Sequence, residues 1–259
     1  MRLSKWNVSA LSVLLFVFIF MFIFIFTSVN SKNNQNNQSN QNNQNNQNNQ
    51  LTNTNLNTIN TINTINTINI TNSTKTILIL GDSISSAYGL SPSQGWVALL
   101  ASKLARSNNR IHAQYRVQNA SLSGDTTAGG VQRLPALLKQ YKPTIVIIEL
   151  GGNDALRGLP LVQTKSNFEA LLSVSKKANA QVILLPMQIP PNYGSRYTQA
   201  FNGLYDQLAK ANGVNVTPFI FKDFAENMTY FQSDRIHPTA AAQSLILSTV
   251  LPTLEKILK

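Results

Sequence analysis

Residues 75–259 of this 259-residue chain are predicted to form an α/β domain, a three-layer α/β/α sandwich around a mostly parallel sheet of about five strands. Three observations predict it. Short apolar, β-branched runs alternate with amphipathic stretches along the segment, the pattern of repeated strand–helix units joined by right-handed crossovers. The run TIVIIEL (144–150) has no polar face, as expected of a strand buried on both sides in a parallel sheet. Small and polar residues gather just after the apolar runs, where open parallel sheets bind ligands.

The elements follow in order. TILIL (76–80) is the first strand, and SQGWVALLASKLAR (93–106) is a helix with apolar residues at helical spacing. YRVQNA (115–120) is a short strand. TAGGVQRLPALLKQY (127–141) is a helix carrying a glycine pair and Pro135. After the strand TIVIIEL come the helix FEALLSVSKKANA (168–180) and the strand QVILLP (181–186). RYTQAFNGLYDQLAKANG (196–213) reads as one helix closed by Gly213 at a C′ position. VNVTPF (214–219) is a last short strand, and AAAQSLILSTVLPTLEKIL (240–258) is the final helix.

Five polar segments fall at the ends of these elements: Gly81-Asp82-Ser83, NASLSGDT (119–126), GGNDALRG (151–158), PMQIPPNYGSRY (186–197) and SDRIHP (233–238). Gly-Asp-Ser alone is a weak signal, since Asp and Ser are also favoured helix N-caps. A serine nucleophile needs a base. His237 supplies one, with Asp234 three residues earlier on the same loop to hold its tautomer, the roles of a Ser-His-Asp triad. Taken alone, His237 reads as a loop histidine and Asp234 as a loop acid; their joint occurrence with Ser83 favours the triad. His112, the only other histidine, has no acid nearby and reads as a surface residue.

Oxyanion donors are also needed. The backbone N–H of Ser83, the backbone of Gly124 and the side-chain amide of Asn153 are the candidates, set against plain turn roles for Gly124 and Asn153. Asp82, Asp125 and Asp154 read as structural acids, Asp82 the least clearly because it adjoins the serine. Gly81-Asp82-Ser83-Ile84-Ser85 lacks the second glycine of a Gly-x-Ser-x-Gly elbow, which argues against the common α/β-hydrolase arrangement.

The blocks GDS (81–83), the Gly124 loop, GGND (151–154) and DRIHP (234–238), in that order, resemble the SGNH (GDSL) hydrolases. The segments LILGDS, NASLSGDT, RLPALLKQ, ELGGNDALRG and PPNYGSRY are similar to the branch of bacterial periplasmic thioesterases also described as lysophospholipases and arylesterases. The resemblance runs from about Thr76 to the C-terminal helix. It implies Ser83 as nucleophile, Gly124 and Asn153 as oxyanion donors with the Ser83 N–H, and Asp234 with His237 completing the triad. It implies cleavage of acyl thioesters and carboxylic esters through an acyl-enzyme, with acyl-CoA, lysophospholipids and aryl esters as substrates. Arg235 departs from the pattern, standing where the family often has glycine. The alternatives are a carbohydrate or cell-wall O-acetylesterase on the same fold and a non-catalytic lipid- or glycan-binding module. Met187–Tyr197 is expected to form one wall of the acyl site.

The absence of cysteine excludes disulfides and thiolate sites, and two histidines are too few for a histidine-rich metal site; no cofactor or metal is expected. The formal charge is +11, and all ten acidic residues and all basic ones except Arg2, Lys5 and Lys32 lie beyond residue 74. No basic run or motif points to nucleic acid, and a monomer is expected. Residues 10–29, ALSVLLFVFIFMFIFIFTSV, are uncharged and long enough to span a bilayer as a helix. Without a small-x-small cleavage site they read as a signal anchor in preference to a cleaved signal peptide, leaving the rest exported and periplasmic. The expected division is a leader at 1–30, a tether at 31–74 and the catalytic domain at 75–259. The Asn/Gln/Thr-rich tether repeats every three residues, a period of neither helix nor strand. As a coil it would span on the order of 35–40 Å.

Overall fold

The computed structural model describes residues 74–259; the expected leader and nearly all of the expected tether lie outside the described residues. Five parallel strands form one sheet in the order β2-β1-β3-β4-β5. They are β1 (Lys75–Gly81), β2 (Tyr115–Asn119), β3 (Ile145–Glu149), β4 (Gln181–Leu184) and β5 (Asn215–Val216). Ile77 of β1 pairs with Val117 on one side and Ile145 on the other. All five residues of β3 are buried, as its unbroken apolar run requires.

The helices are α1 (Trp96–Ala105), α2 (Arg110–Ala113), α3 (Thr127–Tyr141), α4 (Gly152–Leu156), α5 (Leu161–Lys177), α6 (Ser195–Asn202), α7 (Leu204–Asn212) and α8 (Gln243–Glu255). α1 packs on α8, while α3 packs on α5 and α5 on α7. Right-handed crossovers produce these two sets, because β1→β2 steps one way along the sheet and the later connections step the other. The reversal falls between β1 and β3, so their carboxyl ends open the crevice where such sheets bind ligands.

Several boundaries differ from expectation. α5 starts at Leu161, seven residues before the expected Phe168, because buried Thr164 extends its inward face. The expected single helix over 196–213 is two, interrupted at Gly203, although Gly213 does end α7 with a left-handed φ of 60°. GGNDALRG, read as a loop, contains α4. α2 was not expected; it is one turn, capped by Asn109, whose side chain accepts from the Ile111 N–H at 2.9 Å. The last strand shrinks to two residues.

Candidate active site

β1 ends at Gly81, and the chain then turns tightly. The Asp82 Oδ1 accepts from the Ile84 N–H at 3.0 Å, the Asp82 carbonyl from the Ser86 N–H at 3.0 Å, and the Ser83 carbonyl from the Tyr88 N–H at 3.0 Å. No helix starts here, so the helix-cap alternative does not apply; Asp82 instead closes an Asx-type turn. Ser83 is thereby freed to face outward, half-buried.

His237 reaches Ser83 from the other end of the domain. Its Nε2 lies 2.9 Å from Ser83 Oγ, and its Nδ1 lies 2.7 Å from Asp234 Oδ2. The Asp234 Oδ1 accepts from the N–H groups of Ile236 and His237, at 2.9 and 3.0 Å. An ionised Asp234 requires the proton on Nδ1, which leaves Nε2 to accept from the serine hydroxyl. The loop is held by an antiparallel bridge between Phe231 and Pro238, and by Gln232, whose amide donates to the carbonyls of Tyr88 and Pro238. The ring of Tyr88 covers the imidazole, with centroids 4.4 Å apart. Partial burial alone would raise the Asp234 carboxyl. Donation from the His237 N–H, its ring and the Ile236 N–H outweighs that effect and holds the pKa at about 2. His112 is far from this arrangement in the fold, its Nδ1 meeting Ser107 Oγ between α1 and β2.

Gly124 has a φ of +79°, a conformation that favours glycine. The hydroxyls of Ser86 and Ser123 join its loop to the serine turn at 2.9 Å, and the Arg157 guanidinium donates to the Gly124 carbonyl at 2.9 Å. Among the described residues, neither the Ser83 N–H nor the Gly124 N–H donates to a protein acceptor. Asn153 lies in α4, which follows β3. Its Nδ2 donates to Asp82 Oδ2 and to the Asp125 carbonyl, both at 3.0 Å. The two remaining acids are structural: Asp154 accepts from the N–H and hydroxyl of Thr127, and Asp125 pairs with Arg133.

Sequence reasoning missed a second carboxyl beneath the serine turn. Glu149 is fully buried at the end of β3. Its Oε2 accepts from the Asp82 N–H at 3.2 Å and from Ser85 Oγ at 2.8 Å, and its Oε1 has no partner. Burial, then the neighbouring Asp82, push the Glu149 carboxyl well above the usual range. Burial also raises Asp82 to about 6, against the opposing pull of its hydrogen bonds. The signal was present: Glu149 is the one acid in an otherwise apolar strand, and buried acids are rare. Glycine at 81 makes the contact possible, since a Cβ there would lie 2.8 Å from both Glu149 Oε2 and Ser85 Oγ.

A cleft of about 510 Å³ opens beside Ser83, Asn153 and His237. Met187, Gln188, Ile189 and Pro190 line it, so the expected wall at 187–197 narrows to its first four residues. The rest of that segment turns away into a 3-10 turn and α6. The other apolar surface comes from Phe219, expected at the end of the last strand, and from Phe221, Met228 and Phe231, which the sequence assigned to no element. Phe221, Phe224 and Phe231 pack on one another with centroids 5.1–5.9 Å apart. Among the described residues, no group of three or more His, Asp or Glu side chains is placed to hold a metal ion.

Comparison with known proteins places this geometry in context. Residues 79–245 match the GDSL-like lipase/acylhydrolase family model. The chain is 46% identical over 186 residues to the esterase TesA of Pseudomonas aeruginosa, covering 72% of this chain and 90% of that protein. It is 42% identical over 182 residues to the thioesterase 1/protease 1/lysophospholipase of Escherichia coli, covering 70% and 84% respectively. The arylesterase of Vibrio mimicus is 36% identical over 184 residues, covering 71% and 90%. The crystal structure of TesA superposes with a TM-score of 0.67 at 47% identity, covering 70% of this chain and 99% of that one.

Proposed function

Because the chain belongs to the GDSL-like lipase/acylhydrolase family, we propose that it is a serine hydrolase that cleaves acyl thioesters and carboxylic esters through an acyl-enzyme. The observation that carries this reading is the continuous hydrogen-bonded chain Asp234–His237–Ser83 at the edge of an apolar cleft. Ser83 Oγ attacks the acyl carbonyl while His237 Nε2 takes its proton, and Asp234 stabilises the imidazolium. The negative charge on the carbonyl oxygen is met by the N–H groups of Ser83 and Gly124 and by Asn153 Nδ2, which must share or release one of its two present acceptors. The tetrahedral species collapses as the thiol or alcohol leaves with the proton from His237. Water, deprotonated by the same imidazole, then attacks the Ser83 ester, and the carboxylic acid departs.

The acyl chain fits the cleft between the Met187–Pro190 segment and the phenylalanine-rich stretch. Names of relatives — thioesterase, lysophospholipase, arylesterase — support acyl-CoA, lysophospholipids and aryl esters as substrates. The decisive assay is turnover of p-nitrophenyl esters from acetate to palmitate beside acyl-CoA, with fluorophosphonate labelling of Ser83. Release from longer chains and from CoA is expected. Activity on acetate alone would favour an O-acetylesterase, and neither turnover nor labelling would overturn the reading.

The catalytic domain is taken as 75–259, exported to the periplasm, tethered through 31–74 and held at the membrane by the apolar run at 10–29. That run's length and the lack of a cleavage site support this. N-terminal sequencing of the fractionated protein tests it: a soluble product starting near Asn30 would overturn the anchor.

A further inference from the structure

Arg235 combines three properties. It lines the cleft together with Ser83 and His237. It adopts a φ of +59°, a left-handed conformation that residues with a side chain avoid. Its guanidinium makes no hydrogen bond or ion pair among the described residues, whereas Arg133 and Arg157 beside the same site are engaged by Asp125 and by the Gly124 carbonyl. The turn does not need an arginine. Its backbone is fixed by the Arg235 N–H donating to the Gln232 carbonyl at 2.9 Å, a bond any non-proline residue makes. Glycine would adopt the same φ without strain. A residue held in a disfavoured conformation at a site's edge points to a role for its side chain.

Direction follows from the chemistry. His237 Nε2 hands its proton to the leaving atom, so the leaving group lies against the imidazole. Arg235, two residues before His237 on the same turn, lines the cleft together with that imidazole. An unpaired guanidinium presents a planar fork of donors matched to phosphate oxygens.

We infer that Arg235 forms a subsite for a phosphate carried by the leaving group of the substrate, the phosphate of CoA or of a lysophospholipid headgroup. This rests on the hydrolase reading above. Arg235 reads the half of the substrate that departs, while the apolar surfaces of the cleft read the half that stays on Ser83.

The test compares substrates that differ in phosphate. Octanoyl-CoA is set against the octanoyl thioester of N-acetylcysteamine, and lysophosphatidylglycerol against monoacylglycerol with the same chain. Each pair is measured with wild type, R235G, R235N and, as a remote loss of one charge, K139Q. Asn, like Gly, tolerates positive φ, so two neutral variants keep the turn. The ratio of kcat/KM for the phosphate-bearing over the neutral substrate is expected to fall about tenfold in R235G and R235N, mostly through KM, and to hold in K139Q. A fall in the CoA pair alone, or in the lipid pair alone, identifies the source of the phosphate. Ratios unmoved in active R235G and R235N overturn the subsite, as does an equal fall in K139Q. Failure of the wild type on all four substrates would instead count against the hydrolase reading.

Discussion

Two pairs of groups flank Ser83, one holding a single carboxylate and the other two. On the exposed side, Asp234 receives three donors and is held at about 2. On the buried side, Asp82 and Glu149 share too few donors for two negative charges, and burial drives both upward, Asp82 to about 6. The same functional group is thus fixed as an anion where it must support an imidazolium and biased toward the neutral acid where it must pack under a strand end. Exposure does not make the first pair weak, because its donors are preorganised; burial does not make the second strong, because desolvation exceeds what Ser85 and two backbone N–H groups return. The difference separates a pair tuned for chemistry from a pair tuned for placement, and Asn153 joins them, donating to Asp82 while its amide faces the cleft.

The largest expected effect breaks the exposed side. Ser83→Ala and His237→Ala should each lower kcat by about 10⁴ or more, with melting temperatures close to wild type because both side chains lie at the rim. His112→Ala should leave kcat alone. Wild-type turnover by folded Ser83→Ala would end the triad assignment, and equal losses at both histidines would show a general folding effect.

Next comes the connection between the sides. Asn153→Ala should lower kcat by on the order of 10²–10³ with little change in KM, because a donor to the developing oxyanion acts on the transition state. Kcat and melting temperature read on one preparation separate this from a turn role, for which kcat in the folded fraction would be unchanged.

The smallest effect sharpens the contrast in sign. A carboxyl raised by folding stabilises the fold below its unfolded pKa and loses that contribution as pH rises through its folded value. Asp82 should therefore cost stability between about pH 4 and 6, by up to roughly 3 kcal/mol, and Glu149 adds to the same slope. Asp234 acts in reverse, its contribution being lost as pH falls from about 4 toward 2. Denaturant unfolding across pH 4–7 should show a decline that Asp82→Asn flattens and Asp234→Asn does not. An unchanged slope in Asp82→Asn would mean that Asp82 does not titrate in this range.

Much of this was legible in residue order. β3 announced itself because every residue of IVIIE except the last is apolar, and Asp234 and His237 because three residues on one loop suffice to bring their side chains together. Glu149 was not legible as a partner of Asp82, since they are 67 positions apart and only the β1–β3 register, which pairs Gly81 with Glu149, makes them neighbours. The phenylalanine wall was missed for a related reason. Phe219, Phe221, Phe224 and Phe231 follow no helical or strand period, because irregular chain after β5 collects them by packing. Gly203 reads as a tolerable helical glycine until the chain re-aims there between α6 and α7.

The missing methyl group at Gly81 has a historical consequence. Any side chain there would meet Glu149 Oε2 and the Ser85 side chain at 2.8 Å, so Gly81 cannot change while both of these neighbours stay as they are. A lineage could admit alanine at 81 only after both the buried acid and Ser85 had given way, since the reverse order would pass through a clash under the nucleophile. Descendants of this sequence should keep glycine at 81 for as long as Glu149 and Ser85 remain, even though most substitutions elsewhere in β3 would be judged by size alone.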